Sequence, residues 1–126
     1  MHFIYATKAD SDLDRQRILF LPRLMDHVAA VADPNVTLRL FLTGTGLDGP
    51  IEYGKLPNNT FARRLRPADL LSALDGYTRQ QPSALEHRAG TVCYVCGPPR
   101  MTDEFVANLS EQPGMAPERV LCEKWW

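Results

Sequence analysis

The segment from Tyr94 to Met101, YVCGPPRM, places a thiol, a glycine and two prolines at the end of an apolar run. Gly97 allows the backbone to turn without a side chain in the way, and the prolines stiffen the exit into a helix. At the carboxyl end of a parallel strand, such a turn lies where open α/β sheets bind ligands. The pattern predicts either a ligand-binding turn that presents Cys96 or a tight β–α turn in which Cys96 is a small buried hydrophobe.

Cys93 and Cys96 have the C-x-x-C spacing of redox pairs and of half a zinc site. Residues three apart on a strand point to opposite faces of the sheet, so these thiols should not meet. The sequence nearby supplies no second Cys/His pair to complete a metal site. We therefore expect no metal site here, and three cysteines in all do not make a disulfide framework.

The segment Gly44–Gly49 matches G-x-G-x-x-G and follows a predicted strand. A dinucleotide fingerprint requires its third glycine to open a helix whose amino terminus holds pyrophosphate. Here Gly49 is followed by Pro50 and by no helical pattern. The match therefore indicates a surface turn.

Length and charge set the class of protein. The 126 residues are expected to form one domain, 1–126, with one modest core. With 14 basic and 15 acidic residues the net charge is −1, which favours neither nucleic acid nor an anionic membrane as a partner. The start of the chain leads directly into Phe3–Tyr5, which is typical of a strand rather than a signal peptide. We expect an intracellular protein, cytoplasmic or mitochondrial.

Hydrophobic periodicity predicts strands that alternate with helices along the chain. The strands are expected at 2–7, 36–42, 92–96 and 118–122, and the helices at 22–32, 67–74 and 101–109. Long loops are expected at 44–60 and 80–90. This alternation favours a parallel sheet with helices on both faces.

The pattern Cys-Gly-Pro-x-x-Met after an apolar strand resembles a signature of the nicotinamide-binding domain of the ferredoxin–NADP reductase family. The ending Glu123-Lys-Trp-Trp126 is similar to that of the eukaryotic oxidoreductase NAD-binding domain-containing group. Weaker similarity extends over the whole chain, for example at 3–8. The resemblance implies a three-layer, Rossmann-like α/β fold of about four parallel strands, truncated at the amino terminus.

The resemblance also implies roles in hydride transfer between NAD(P)H and a flavin such as FAD. Cys96 would lie beside the nicotinamide C4, and Glu123 near the flavin–nicotinamide contact, where it would affect charge or protonation. Trp125 or Trp126 would stack on the isoalloxazine until nicotinamide displaces it. Gly97 and Pro98 would shape the pocket floor.

Further positions belong to the surroundings of the nucleotide. Met101 would seat the helix after the turn. The loops that contact the adenosine end would contain Thr7, Lys8, Thr43, Arg63 and Arg64. The two arginines could bind a 2′-phosphate or form a solvated basic face, which leaves NADH and NADPH both open.

The chain also departs from the family pattern. It begins at what resembles the second strand, without the first strand and its glycine-rich turn, and it lacks the Arg-x-Tyr-Ser pattern of the flavin domain. Two strand edges are then unpaired. The strand at 3–7 could pair with that at 92–96, another chain such as a flavin domain could supply a strand, or a second copy could cover the edge.

Two functions follow from the resemblance and its departures. The first is the NAD(P)H-binding portion of a flavin-dependent oxidoreductase, with the flavin held by another domain or chain. The alternative is a truncated relative that no longer does redox chemistry and serves as a binding or assembly module, or as a non-redox enzyme.

Overall fold

The computed structural model describes residues 1–8, 18–44, 49–50, 56–76 and 88–125, with the backbone alone at 49–50. The strands are β1 His2–Lys8, β2 Thr37–Thr43, β3 Gly49–Pro50, β4 Thr60–Ala62, β5 Cys93–Gly97 and β6 Val120–Lys124. The helices are α1 Leu21–Val31, α2 Pro67–Leu74 and α3 Pro99–Ser110, and a 3₁₀ turn at Pro117–Arg119 precedes β6. The α/β fold class with parallel strands is thereby confirmed, consistent with a Rossmann-like fold.

The chain forms two compact units, Met1–Leu65 and Arg66–Trp126, which we call unit 1 and unit 2. Each unit contains its own sheet. The assignment of residues 1–126 to a single domain stays a prediction.

Unit 1 is built on a four-stranded sheet in the order β1-β2-β4-β3. β1 and β2 run parallel from the pair His2–Thr37 to the pair Lys8–Thr43. β4 pairs parallel with β2, whereas the short β3 pairs antiparallel with β4. The three parallel strands therefore bring their carboxyl ends to one edge of the sheet.

The core of unit 1 lies between one face of this sheet and α1. Alternation along β2 turns Leu38, Leu40 and Leu42 to that face, and all three are buried there with Leu21 of α1. Burial of one such leucine contributes about 2 kcal/mol. The helix has Pro22 in its first turn, where a missing N–H has no cost.

The opposite face of β2 carries an aromatic pair. Phe41 and Phe61 are paired across β2 and β4, and their rings stack with centroids 5.1 Å apart. The Arg63 guanidinium lies over both rings, at 5.0 Å from Phe41 and 5.2 Å from Phe61. The arginine that follows β4 is thus held against the sheet by cation–π contacts.

Unit 2 contains the parallel pair β5–β6, in register from Cys93–Val120 to Gly97–Lys124. α3 packs against both strands and buries Phe105 and Leu109. At the start of α3, the buried Thr102 donates a 3.1 Å hydrogen bond from Oγ1 to the Gly97 carbonyl. The strand β5 and the helix α3 are therefore tied together across the turn between them.

The helix α2, which contacts α3, is closed at both ends by side chains. At its start the backbone N–H of Arg66 donates to Asp69 Oδ2 at 2.9 Å, in the manner of a capping box. At its end the Arg88 guanidinium donates hydrogen bonds to the Asp75 carboxylate, with Nη2 at 2.7 Å and 2.9 Å from the two oxygens. Arg88 also donates to the Pro113 carbonyl at 3.2 Å, which joins three segments of unit 2.

The predicted order of elements is confirmed, and most bounds agree within two residues. The predicted loop 44–60 is wrong at 49–50, where β3 lies, and at its last residue, where β4 begins; no strand was predicted at 60–62. Direct pairing of the strand at 3–7 with that at 92–96 is not observed: β1 pairs with β2, and β5 pairs with β6 in a separate sheet. Within the described ranges, no helix is both long and apolar enough to cross a bilayer.

Candidate functional site

The carboxyl edge of the unit 1 sheet gathers the residues predicted for the adenosine end. Register places Lys8 beside Thr43, and the Thr43 hydroxyl donates to the Thr7 carbonyl at 3.5 Å. Because β4 is parallel to β2, the residues after Ala62 emerge at the same edge. We call this group the basic edge: Thr7, Lys8, Thr43, Arg63 and Arg64.

The cations of the basic edge differ in how they are held. Arg63 is half-buried over Phe41 and Phe61, and it donates to the Arg64 carbonyl at 3.0 Å. Lys8 and Arg64 are exposed. The two exposed cations can therefore reach an anion, whereas the Arg63 guanidinium is committed to the sheet.

The second group of predicted residues lies on one face of the unit 2 sheet. Because α3 packs against the other face, alternation leaves one face open, and register pairs Cys96 with Glu123 directly across the strands. Two aromatic side chains flank this pair, Tyr94 at 62% exposure and Trp125 at 49%. We call this surface the open face: Tyr94, Cys96, Leu121, Glu123 and Trp125.

Two cross-strand hydrogen bonds order the open face. The Tyr94 hydroxyl donates to Glu123 Oε2 at 2.7 Å, and the Trp125 indole N–H donates to Cys96 Sγ at 2.7 Å. The Trp125 backbone N–H donates to the Gly97 carbonyl at 3.0 Å, which extends the β ladder beyond β6. Each of the two reactive groups, the Cys96 thiol and the Glu123 carboxylate, is thus engaged by an aromatic partner.

The environment of Tyr94 favours its protonated form. The hydrogen bond to Glu123 is the main cause that raises the pKa of Tyr94, followed by desolvation and by the negative charges of Glu123, Cys96 and Cys122. The phenol therefore stays a hydrogen-bond donor to the carboxylate at neutral pH.

The turn that follows β5 is shaped by close packing. Gly97 is the last strand residue, and its φ is not among the left-handed ones, so the chain turns at Pro98 rather than at the glycine. The end of the Met101 side chain lies over Gly97, where a Cβ would collide with it. A Cβ here would require only that the flexible end of Met101 move, so the packing of Met101 fills this space without making glycine obligatory.

The C-x-x-C pair behaves as strand geometry predicts. Cys96 contacts Trp125 on the open face, whereas Cys93 is half-buried, and burial raises the pKa of its thiol. All three cysteines are free thiols. Among the residues that the structure describes, no group of three His, Cys, Asp or Glu side chains could hold a metal ion.

The G-x-G-x-x-G match is not a dinucleotide fingerprint. Residues 45–48 lie outside the described residues, but Gly49 begins the short antiparallel strand β3 instead of a helix. The predicted surface turn itself lies mostly at 45–48, outside the described residues, and stays a prediction.

Most of the predicted site residues lie either on the basic edge or on the open face, and the structure adds Tyr94 to the open face. Cys96, Glu123 and Trp125 share the open face, while Trp126 lies outside the described residues. Tyr94 received no role from the sequence. The signal for it was present, because Tyr94 stands two residues before Cys96 on a strand and must share its face.

Comparison with known proteins gives a short match. A stretch of 36 residues, 29% of this chain, is 44% identical to the Danio rerio "Oxidoreductase NAD-binding domain-containing protein 1". The match covers 13% of that protein's length. No protein-family model and no solved structure matches the chain. The short match supports a weak relationship to an NAD-binding oxidoreductase.

Proposed function

We propose that this chain is the NAD(P)H-binding portion of a flavin-dependent oxidoreductase, which positions nicotinamide for hydride transfer to a flavin held elsewhere. The observation that carries the proposal is the direct pairing of Cys96 with Glu123 at the carboxyl end of two parallel strands. Trp125 lies on the same exposed face, in contact with the Cys96 thiol. Ligands of open α/β sheets bind at this end of the strands.

The open face suits a flat, amide-bearing ring. Tyr94 and Trp125 provide aromatic surface, and Glu123 provides an acceptor for an amide N–H. The bound nucleotide and flavin supply the redox chemistry, and the protein supplies orientation. Cys96 would border the ring, and Trp125 would leave the thiol to admit it.

The basic edge of unit 1 suits phosphate. Lys8 and Arg64 are exposed cations, and Thr43 lies beside Lys8 across the paired strands. Within unit 1 by itself, we assign the contact with a nucleotide phosphate to Lys8 and Arg64, and the support of that loop to Arg63. Both NADH and NADPH remain candidates under this assignment.

The proposal is tested by titrating the 126-residue chain with NADH and with NADPH, with and without FAD, while following nucleotide fluorescence. Saturable binding that is weakened by Cys96→Ala is the expected result. Cys122→Ala is the matched control, because Cys122 is also exposed but aligns with Val95 rather than with the open-face residues. Absence of binding at millimolar nucleotide would overturn the proposal and favour the non-redox binding module.

A further inference from the structure

We infer that Tyr94 is a positioning residue of the open face, whose phenol holds the Glu123 carboxylate in place beside Cys96. The inference deepens the proposed function and rests on it, because the open face is where nicotinamide would bind. Tyr94 acts through Glu123.

Strand geometry makes this arrangement specific. Tyr94 is aligned with Leu121, so Glu123 is its diagonal neighbour on the same face, within reach of a long aromatic side chain. The 2.7 Å bond to Oε2 fixes one carboxylate oxygen of a residue that is otherwise exposed. Cys96 is aligned with Glu123. A nicotinamide ring beside the thiol would therefore meet the Glu123 carboxylate, and the orientation of that carboxylate decides which of its oxygens the ring contacts.

Exposure argues against a purely structural role for the bond. Tyr94 and Glu123 are both exposed, and hydrogen bonds between exposed side chains add little to folding stability. What the bond does restrict is the set of rotamers open to Glu123. On the open face the phenol meets Glu123 and Cys96, whereas Cys122 acts on it only through its charge from the other face and Lys124 is paired with Asp103 of α3 at 2.6 Å.

The first test compares nucleotide binding by Tyr94→Phe, Glu123→Gln and the double variant. Loss of the phenol hydroxyl is expected to weaken NADH binding about 3- to 10-fold, with an unchanged thermal unfolding midpoint. The double variant should bind no more weakly than Glu123→Gln alone, because Tyr94 acts through that carboxylate. Asp103→Asn is the control, since it breaks another side-chain contact of β6, on the face that α3 covers.

The second test needs no ligand. The difference between the tyrosinate absorbance titrations of the wild type and Tyr94→Phe isolates one phenol of four. Its midpoint should fall when the same difference is measured in the Glu123→Gln background. An unchanged midpoint would show that the bond does not form in solution and would overturn the inference.

The outcomes separate this inference from the proposed function. If the wild type binds NADH and Tyr94→Phe binds equally well, Tyr94 is not a positioning residue and the proposed function stands. If Tyr94→Phe weakens binding as much in the Glu123→Gln background as in the wild type, Tyr94 acts directly and the inference is wrong. If the wild type binds no nucleotide, the proposed function fails first and the inference falls with it.

Discussion

At the scale of single residues, alternation along β5 sends two cysteines into different environments. Cys96 is exposed on the open face, whereas Cys93 is half-buried toward the side that α3 covers. Burial raises the pKa of the Cys93 thiol, so less of it is ionised at a given pH. The thiolate is the reactive form, and the two sites should therefore differ in reactivity.

We predict that iodoacetamide at pH 8 alkylates Cys93 more slowly than Cys96 or Cys122. Restricted access and the raised pKa act in the same direction, and raising the pH through that pKa should reduce the difference. Peptide mass spectrometry over time measures the three rates. Denatured protein is the control, in which the rates should converge, and preferential labelling of Cys93 in the folded chain would contradict the prediction.

The two neighbouring arginines of the basic edge should respond differently to substitution. Arg64→Ala is expected to weaken binding of ADP-ribose about 5- to 10-fold without changing stability, because an exposed phosphate contact is lost. Arg63→Ala is expected to lower the free energy of unfolding by about 1 kcal/mol, because the guanidinium leaves Phe41 and Phe61. Isothermal titration and urea unfolding separate the two effects, and identical behaviour of the two variants would refute the assignment.

At the scale of elements, unit 2 depends on side chains that close α2 and join it to its surroundings. The Arg88 side chain is 12% exposed. Its Nε and Nη2 groups donate to the Asp75 carboxylate, and its Nη1 group donates to the Pro113 carbonyl. A partly buried, bidentate ion pair of this kind stabilises more than an exposed one.

Arg88→Ala should therefore lower the free energy of unfolding by about 1 to 3 kcal/mol. The matched control is Lys124→Met, which removes an ion pair whose side chains are 46% and 63% exposed and should leave stability unchanged within error. Urea denaturation followed by circular dichroism compares the two variants. An equal loss of unfolding free energy in the two variants would show that the Arg88 contacts stabilise the fold no more than an exposed ion pair does.

At the scale of the whole molecule, the buried leucines of β2 form the core of unit 1, and both tryptophans of the chain belong to unit 2. The two sets of proposed binding residues are divided in the same way, with the basic edge in unit 1 and the open face in unit 2. Fluorescence excited selectively at tryptophan therefore originates in unit 2, whereas far-ultraviolet circular dichroism reports on both units.

Leu40→Ala is predicted to cost about 2 to 5 kcal/mol, because Leu40 is fully buried in the core of unit 1. If residues 1–126 form one cooperative domain, fluorescence and circular dichroism should shift together in urea. A tryptophan transition that stays at its wild-type midpoint would mean that the units unfold separately. Leu121→Ala, on the open face, is the control and should change stability little.

Much of the element order could be read from the residues themselves. The strand at β2 and the helix α2 were predicted nearly to the residue, because an apolar run and a Pro-started helix are local signals. The strands β3 and β4 are both missed, because residues 44–60 are predicted as a loop and no element is predicted at 61–62. Strands of two or three residues carry no periodicity, and they exist only because β2 offers a partner.

The candidate site was predictable to a smaller extent. Cys96 and Glu123 were named from their motifs, and the opposite faces of Cys93 and Cys96 followed from strand alternation. Which residue of β6 stands beside Cys96 could not be known, because register depends on contacts between strands far apart in the chain. The Tyr94–Glu123 bond depends on that register and so became visible only with it.

The sequence by itself determined where the longer strands and the helices form, and that a thiol, a carboxylate and a tryptophan stand at the ends of two strands. These properties follow from backbone propensity and side-chain periodicity, which act over a few residues. Tertiary structure alone decided that Cys96 pairs with Glu123, that Arg63 lies over Phe41 and Phe61, and that one face of β5–β6 stays open. Those outcomes depend on strand pairing and helix packing between segments up to tens of residues apart, which local preferences do not specify.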